Sequence, residues 1–310
     1  MDDLPEWQKL MLNALAAGKF EDAVEFKKPY LPKKLYKYRE ITLATLDNIV
    51  ENRLWASTPA SFNDPYDSGV GIIKNSLHRQ DTYWTNWLEE KSIGQYIADE
   101  DLKSIFDSSN RLEALERHIR LKYPIAPPII YDLINMRHQI EKIVLDLNRR
   151  CKESINVCSF SAVNDSFLLW AHYANDHKGI CVEYDLPNYQ PHDMDGRRLF
   201  PVIYSSELFD ASDFEQSKYL PLIASIYKHS DWSYEQEWRY IDIINPLSPG
   251  RYFYLNKCSA IYFGSRTTLD QIDTTFRLTK IAHNVMSYRM INDNTKFGLS
   301  AKSTSELGIL

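Results

Sequence analysis

The stretch "SDWSYEQEWRYI", residues 230–241, places Glu235 and Glu237 one residue apart among aromatics. Paired carboxylates suit charge chemistry: one can stabilise a developing cation while the other takes a proton. Like charges this close repel, so one carboxyl is driven toward protonation unless a cation or ligand intervenes. Two local conformations accommodate the pair. As a strand, Ser233, Glu235, Glu237, Arg239 and Ile241 share one face, and Trp232, Tyr234, Gln236, Trp238 and Tyr240 the other. As a helix, Asp231 caps the start and Glu235 pairs with Arg239 at i,i+4. The aromatic and β-branched residues from Trp238 to Ile244 favour the strand, with Asn245-Pro246 ending it.

Other segments carry chemistry-bearing residues. "LYKYR" sets Lys37 and Arg39 on one face of a strand and Tyr36 and Tyr38 on the other. It reads either as an edge strand blunted by cations or as a seat for phosphate or carboxylate. "SFNDPYD" is dense in turn formers: Asn63, Asp64 and Asp67 serve either the turn itself or a binding loop. In "WAHYANDHKG", His172 and Asp176 stand at i,i+4, a spacing open to a divalent metal, but no third ligand follows from the spacing. Packing of Trp170 and Tyr173 explains the same segment without a metal. Cys158 or Cys181 beside a histidine would make a nucleophile, although buried thiols are the commoner case.

The elements that must position these groups follow from periodicity. Residues 5–27 predict a helix, 34–39 a strand, 41–53 an amphipathic helix and "LWAS" the next strand. Residues 76–155 are helical in pattern, with long charged faces and a break at "YPIAPP", and read as an insertion. "INVCSFS" returns to strand. A helix follows, capped by Asn164 or Asp165 and ended by Gly179. "ICVEYD" and "LFPVIYS" are strands and residues 206–229 a helical stretch. After residues 230–241, "RYFYL" and "SAIYFG" are strands, 267–282 is a helix, and "VMSYRMI" and "KFGLSA" close the chain. The expected fold class is α+β. Its parts are an N-terminal helical segment (1–33), a core from 34–75 and 156–310, and a helical insertion (76–155).

Composition narrows the classes. The 310 residues are 44% hydrophobic and 25% charged, ordinary globular values, with a net charge of −6 that advertises no nucleic-acid-binding surface. Tyr (20), Phe (13) and Trp (7) are abundant, serving a core or a planar-ligand site. The four cysteines form no C-x-x-C pair and read as reduced thiols of a cytoplasmic protein rather than a zinc site. No signal peptide or membrane span is expected. There is no G-x-G-x-x-G after a strand, no P-loop and no G-x-S-x-G elbow.

Four blocks in fixed order, "LYKYR", "LWASTPASFNDPYD", "CSFS…NDSFLLWAHYANDHKGICVEYD" and "YEQEWRYI", resemble the bacterial domain of unknown function 2971 from Leu35 to Gly264. That label carries no activity. The layout also resembles the ADP-ribosyltransferase fold, which has a mixed or split sheet and a late strand bearing E-x-E. This second resemblance implies NAD as substrate and no metal. It implies Glu237 as the carboxylate stabilising an oxocarbenium-like transition state and Glu235 as its companion. NAD contacts would fall to Arg39, Tyr38, Ser57, Asn63, Asp64, Trp170 and Tyr173. The sequence departs from that pattern in having no histidine on the first strand. The acceptor stays open: protein, nucleic acid or small molecule, with the 76–155 helices available to a partner protein. Use as a toxin or phage-defence effector belongs to the same expectation. Two alternatives remain at this level. One is a metal-dependent nuclease or phosphoesterase drawing on Asp64, Asp67, Glu183, Asp185, Glu235 or Glu237. The other is a non-enzymatic binding or regulatory module of phage defence, in which the carboxylates only pair with Arg39, Arg239 or Lys228.

Overall fold

A computed structural model describes residues 4–71, 81–90, 97–108, 111–122, 129–186, 194–211, 214, 217–243, 250–254, 258–283 and 285–310. In chain order the first elements are α1 (Glu6–Ala16), α2 (Phe20–Lys27), β1 (Lys34–Arg39), α3 (Leu43–Val50), β2 (Leu54–Ser57) and β3 (Val70–Gly71). Helices α4 (Asp81–Glu90), α5 (Asp99–Phe106), α6 (Arg111–Lys122) and α7 (Ile129–Glu153) follow. Next come β4 (Asn156–Ser161), α8 (Phe167–Tyr173), β5 (Ile180–Asp185), α9 (Met194–Arg198), β6 (Leu199–Pro201), β7 (Ile203–Ser205), β8 (Phe209–Asp210), α10 (Leu220–Ala224) and β9 (Tyr227–His229). The chain closes with β10 (Glu237–Asp242), β11 (Gly250–Phe253), β12 (Cys258–Phe263), α11 (Leu269–His283), β13 (Met286–Asn292) and β14 (Leu299–Ser303).

The fold is α+β, as the patterning predicts. A ten-stranded sheet runs β11-β2-β4-β1-β5-β12-β13-β14, with β10 and then β6 continuing from β4. Only the β12–β13 pair in this sheet is parallel; the other pairings are antiparallel. All ten strands come from residues 34–57 and 156–303. Helices α4–α7 form a separate apolar cluster around Leu88, Ile105, Leu115, Ile119 and Leu133. The far end of α7 joins another core: Leu147 and Cys151 pack with Met11, Leu12 and Leu15 of α1 and with Phe200 and Ile223. The long helix thus ties both the insertion and the N-terminal helices to the sheet.

The decisive feature for function is the fork at β4. One edge of β4 pairs continuously with β10, from Glu237 opposite Ser161 to Asp242 opposite Asn156. The other edge is shared. β2 touches it through Ser57 opposite Val157, and β1 through Tyr36 opposite Ser161. Between those points β1 and β2 part, and the sheet splits.

Several expectations need correction. The single helix over 5–27 is two helices, separated at Gly18, whose φ of 74° suits a residue without Cβ. "LFPVIYS" is two strands on different partners: β6 lies on β10 and β7 on β9, and Pro201 supplies no ladder donor between them. Residues 206–229 are not a helical stretch. β8 and β9 pair in parallel with β3 and β7, and among the described residues of this stretch only Leu220–Ala224 is α-helical. Long-range pairing overrides the local pattern there. The α8 cap is Ser166 rather than Asn164 or Asp165, and the helix ends at Tyr173, ahead of three left-handed residues, Asn175, Asp176 and His177. Gly179 instead abuts β1: a Cβ there would lie 2.3 Å from the Arg39 carbonyl oxygen. The "YPIAPP" break and the Asn245-Pro246 stop lie outside the described residues.

Candidate active site

Residues 230–241 combine the two conformations that the sequence left open. Ser230–Glu235 is a 3₁₀ turn, and the strand starts at Glu237. The cap is His229, whose Nδ1 accepts from the Asp231 N–H, so Asp231 does not cap as the helical reading expected. Gln236 joins the two with φ 45°, a left-handed conformation costly for a residue with a Cβ. Glu235 therefore reaches Glu237 through a sharp turn, not through strand alternation. The turn is pinned to β4: the Ser161 hydroxyl donates to the Glu235 carbonyl at 2.7 Å, and the Ala162 N–H to the Gln236 carbonyl at 3.0 Å.

A buried network holds both carboxylates. Arg239, fully buried, forks onto Asp67 with Nη1–Oδ1 2.7 Å and Nη2–Oδ2 2.6 Å. Its Nε donates to Glu237 Oε1 at 2.8 Å and Nη2 to Glu237 Oε2 at 3.1 Å. Lys228 Nζ donates to Glu235 Oε2 at 2.6 Å and Glu237 Oε2 at 3.0 Å, and lies 3.8 Å from Asp67. The Tyr173 hydroxyl donates to Glu235 Oε1 at 2.9 Å. The Glu237 N–H donates to the Tyr204 hydroxyl at 2.8 Å. Three carboxylates face two cations, so the network holds one negative charge in excess.

Its two glutamates are driven apart. Burial alone would raise Glu237, but Arg239 and Lys228 overcome it and hold the carboxyl well below the usual range. Glu235 goes the other way: burial and the neighbouring Glu237 charge raise it, against Lys228 and Tyr173. Burial with the Glu235 charge also raises the Tyr173 hydroxyl, leaving it a neutral donor.

Glu235 and Glu237 lie on the wall of a cleft of about 330 Å³ that opens in the β4 fork. Arg39, Tyr38, Ser57, Asn63 and Tyr173 line the same cleft, so seven of the nine residues named from sequence converge. Tyr38 is largely committed to the core, its hydroxyl donating to the Val163 carbonyl at 2.9 Å. Asp64 lies outside, on an adjoining cavity of about 660 Å³ that shares Asn63 and Lys228 with the cleft. There its Oδ1 accepts from the Tyr66 N–H at 2.8 Å, the turn role. Trp170 is fully buried, edge-on to Tyr38, and its Nε1 donates to the Asn164 carbonyl. It is core and lines neither of these two cavities.

The residues that complete the site are Asp67, Lys228 and Arg239, which sequence reading had only as loop, ion-pair or metal alternatives. The signal for Arg239 was its place on the Glu237 face, two residues on. Asp67 was legible only as a loop or metal candidate and Lys228 only as an ion-pair partner, because a buried tertiary network brings them in. Among the described residues no group of three or more His, Cys, Asp or Glu is placed to hold a metal. His172 and Asp176 are both exposed. The four cysteines are buried and unpaired, and burial pushes the Cys151 thiol up to about 11 and that of Cys258 to about 12. Glu183 is occupied elsewhere, by Lys34, Ser259 and Tyr262.

The fold and site together define an α+β protein with a split sheet whose cleft carries a buried acid–base network. Residues 169–240 match the family described as protein of unknown function (DUF2971). The resemblance to that family is borne out over this stretch, which is narrower than the 35–264 suggested by the sequence blocks. It runs from α8 into β10 and contains Tyr173, Lys228, Glu235, Glu237 and Arg239, with Asp67 and Arg39 outside. No curated protein and no solved structure matches the chain.

Proposed function

We propose that the β4 cleft binds NAD and transfers its ADP-ribose to an acceptor. The single observation that carries this reading is the pair Glu235–Glu237, held side by side in a cleft with a net negative network. In the reaction the bond between ribose C1′ and the nicotinamide nitrogen breaks, and its electron pair leaves with neutral nicotinamide. Positive charge develops on the sugar. Glu237, kept ionised by Arg239 and Lys228, supplies fixed negative charge, which a preorganised site delivers without reorganisation. The acceptor nucleophile forms the new bond to C1′, and its proton passes to Glu235, whose proton affinity burial and the Glu237 charge raise. Arg39 meets the pyrophosphate. Trp55, Phe62 and Tyr173 offer ring surface on the cleft.

Nicotinamide release from NAD tests this. Wild type should release it, and Glu237→Gln and Glu235→Gln should each lose at least about a hundredfold, the scale of one electrostatic or acid–base contribution. Release unchanged in a folded Glu237→Gln protein refutes the assignment. A second reading has one observation behind it: both oxygens of Glu237 are already paired. It makes the chain a non-enzymatic binding module, in which case no nicotinamide appears. Work in a reducing cytoplasm fits the buried, unpaired cysteines, and no described helix is long and apolar enough to cross a membrane. A role as toxin or phage-defence effector, and a partner protein on the α4–α7 helices, extend the same reading.

A further inference from the structure

The carboxylate network matches most of its charge internally; the β1 wall of the cleft does not. Lys37 and Arg39 project from the same face of β1. Lys37 is 9% exposed, donates to the Ser159 carbonyl at 2.6 Å, and lies 5.1 Å from the Phe160 ring centre. An ammonium carries three donors, and this carbonyl takes one. Among the described residues neither Lys37 nor Arg39 has a carboxylate in ion-pair contact. Burial lowers the Lys37 proton affinity and the neighbouring Arg39 charge adds to the effect, against weaker opposing contributions from Cys158 and Glu237. A buried cation with no carboxylate in contact is expensive for the fold, and a second cation two residues on makes it more so.

The surroundings say what would relieve that cost. Lys37, Arg39 and Trp55 line both the main cleft and an adjoining cavity of about 290 Å³ whose lining has no carboxylate. Arg53, the third cation there, is already paired with Asp47 and Asn48. Two cations beside an indole, in a branch free of acids, fit the phosphate and base of a nucleotide better than a simple carboxylate. A phosphate accepts from both cations at once and brings more charge. The bland role, in which Lys37 only satisfies the Ser159 carbonyl and meets the Cys158 thiol, supplies no carboxylate in contact and leaves the Arg39 repulsion standing.

We infer that Lys37 and Arg39 together seat a phosphate of a nucleotide in this branch of the cleft, with Trp55 beside the base. The inference rests on the reading of the cleft as a nucleotide site and adds Lys37 as its second anchor. Titration calorimetry with ADP and with adenosine tests it on wild type, Lys37→Met, Lys37→Arg and Arg39→Gln. ADP should bind at least about tenfold tighter than adenosine, and Lys37→Met and Arg39→Gln should each weaken ADP by about tenfold or more, the worth of one charged hydrogen bond. Lys37→Arg should keep more affinity than Lys37→Met, and added salt should weaken ADP binding. Arg39 is exposed, so its variant tests the seat even if a Lys37 variant folds poorly. No ADP binding by folded wild type, adenosine as tight as ADP, or ADP affinity unchanged in Arg39→Gln overturns the inference. ADP contains no nicotinamide, so the two readings fail separately. ADP binding without nicotinamide release removes the chemistry and leaves the seat; nicotinamide release with the KM for NAD unchanged in Lys37→Met and Arg39→Gln removes the seat and leaves the chemistry.

Discussion

The two charged walls of the cleft are settled in opposite ways. On the β10 side, Asp67, Glu235 and Glu237 close on Arg239 and Lys228 with distances of 2.6–3.1 Å for their hydrogen bonds. On the β1 side, Lys37 and Arg39 stand next to each other with no acid between them. The first arrangement stabilises the folded chain and presents a rigid, nearly neutralised wall. The second carries an electrostatic cost that a bound anion would relieve. A site is most visible where a protein tolerates an electrostatic cost, and by that measure the proposed ligand would be gripped by its anionic part and acted on at its cationic part.

The largest expected effect breaks the settled wall. Arg239→Met leaves Asp67 and Glu237 buried without their main counter-charge and should cost about 3–5 kcal/mol, read by urea unfolding. The next sharpens the contrast within that wall. Glu237 has a depressed folded pKa, so its stabilisation is present above the ordinary carboxylate range and lost as pH falls. Glu235 has a raised one, so its contribution is present at low pH and is lost as pH rises through the folded value. Glu237→Gln should therefore lower stability at neutral pH and flatten the acid limb of the profile. Glu235→Gln should be neutral to stabilising there. Lys37→Met tests the unsettled wall. The folded pKa of Lys37 is depressed, so its charge is disfavoured in the native state and stability rises as pH climbs toward the unfolded value. Removing that charge should raise the melting temperature at pH 7, read by calorimetry. Arg39→Gln, on an exposed side chain, should move stability by no more than about 0.5 kcal/mol.

Much of the frame was legible. Strand β1 and strand β2 fall on the residues that alternation and β-propensity select, and α3 sits inside its predicted span with Thr42 as cap. The failures share a cause. Residues 206–229 take their structure from pairings that a short local window does not contain, β8 with the distant β3 and β9 with β7 at the other end of the stretch. In the candidate site, Glu235 and Glu237 were legible as a close carboxylate pair and Arg39 as a cation on the first strand, and all three line the one cleft. The geometry was not. A left-handed Gln236 gives no local signal, and Asp67, in the loop "SFNDPYD", reads as turn chemistry until Arg239 is placed opposite it. Trp170 was misleading for the converse reason: an aromatic in a promising segment serves a core and a ligand equally well on paper.

Melting of the purified protein with and without millimolar NAD tests the central claim most directly. A ligand that binds only the native state stabilises it by about 2.7 kcal/mol at a hundredfold excess over its Kd. The account predicts a clear upward shift for wild type that Arg39→Ala abolishes while Lys37→Arg keeps most of it. A wild-type protein that melts at the same temperature with and without NAD contradicts it.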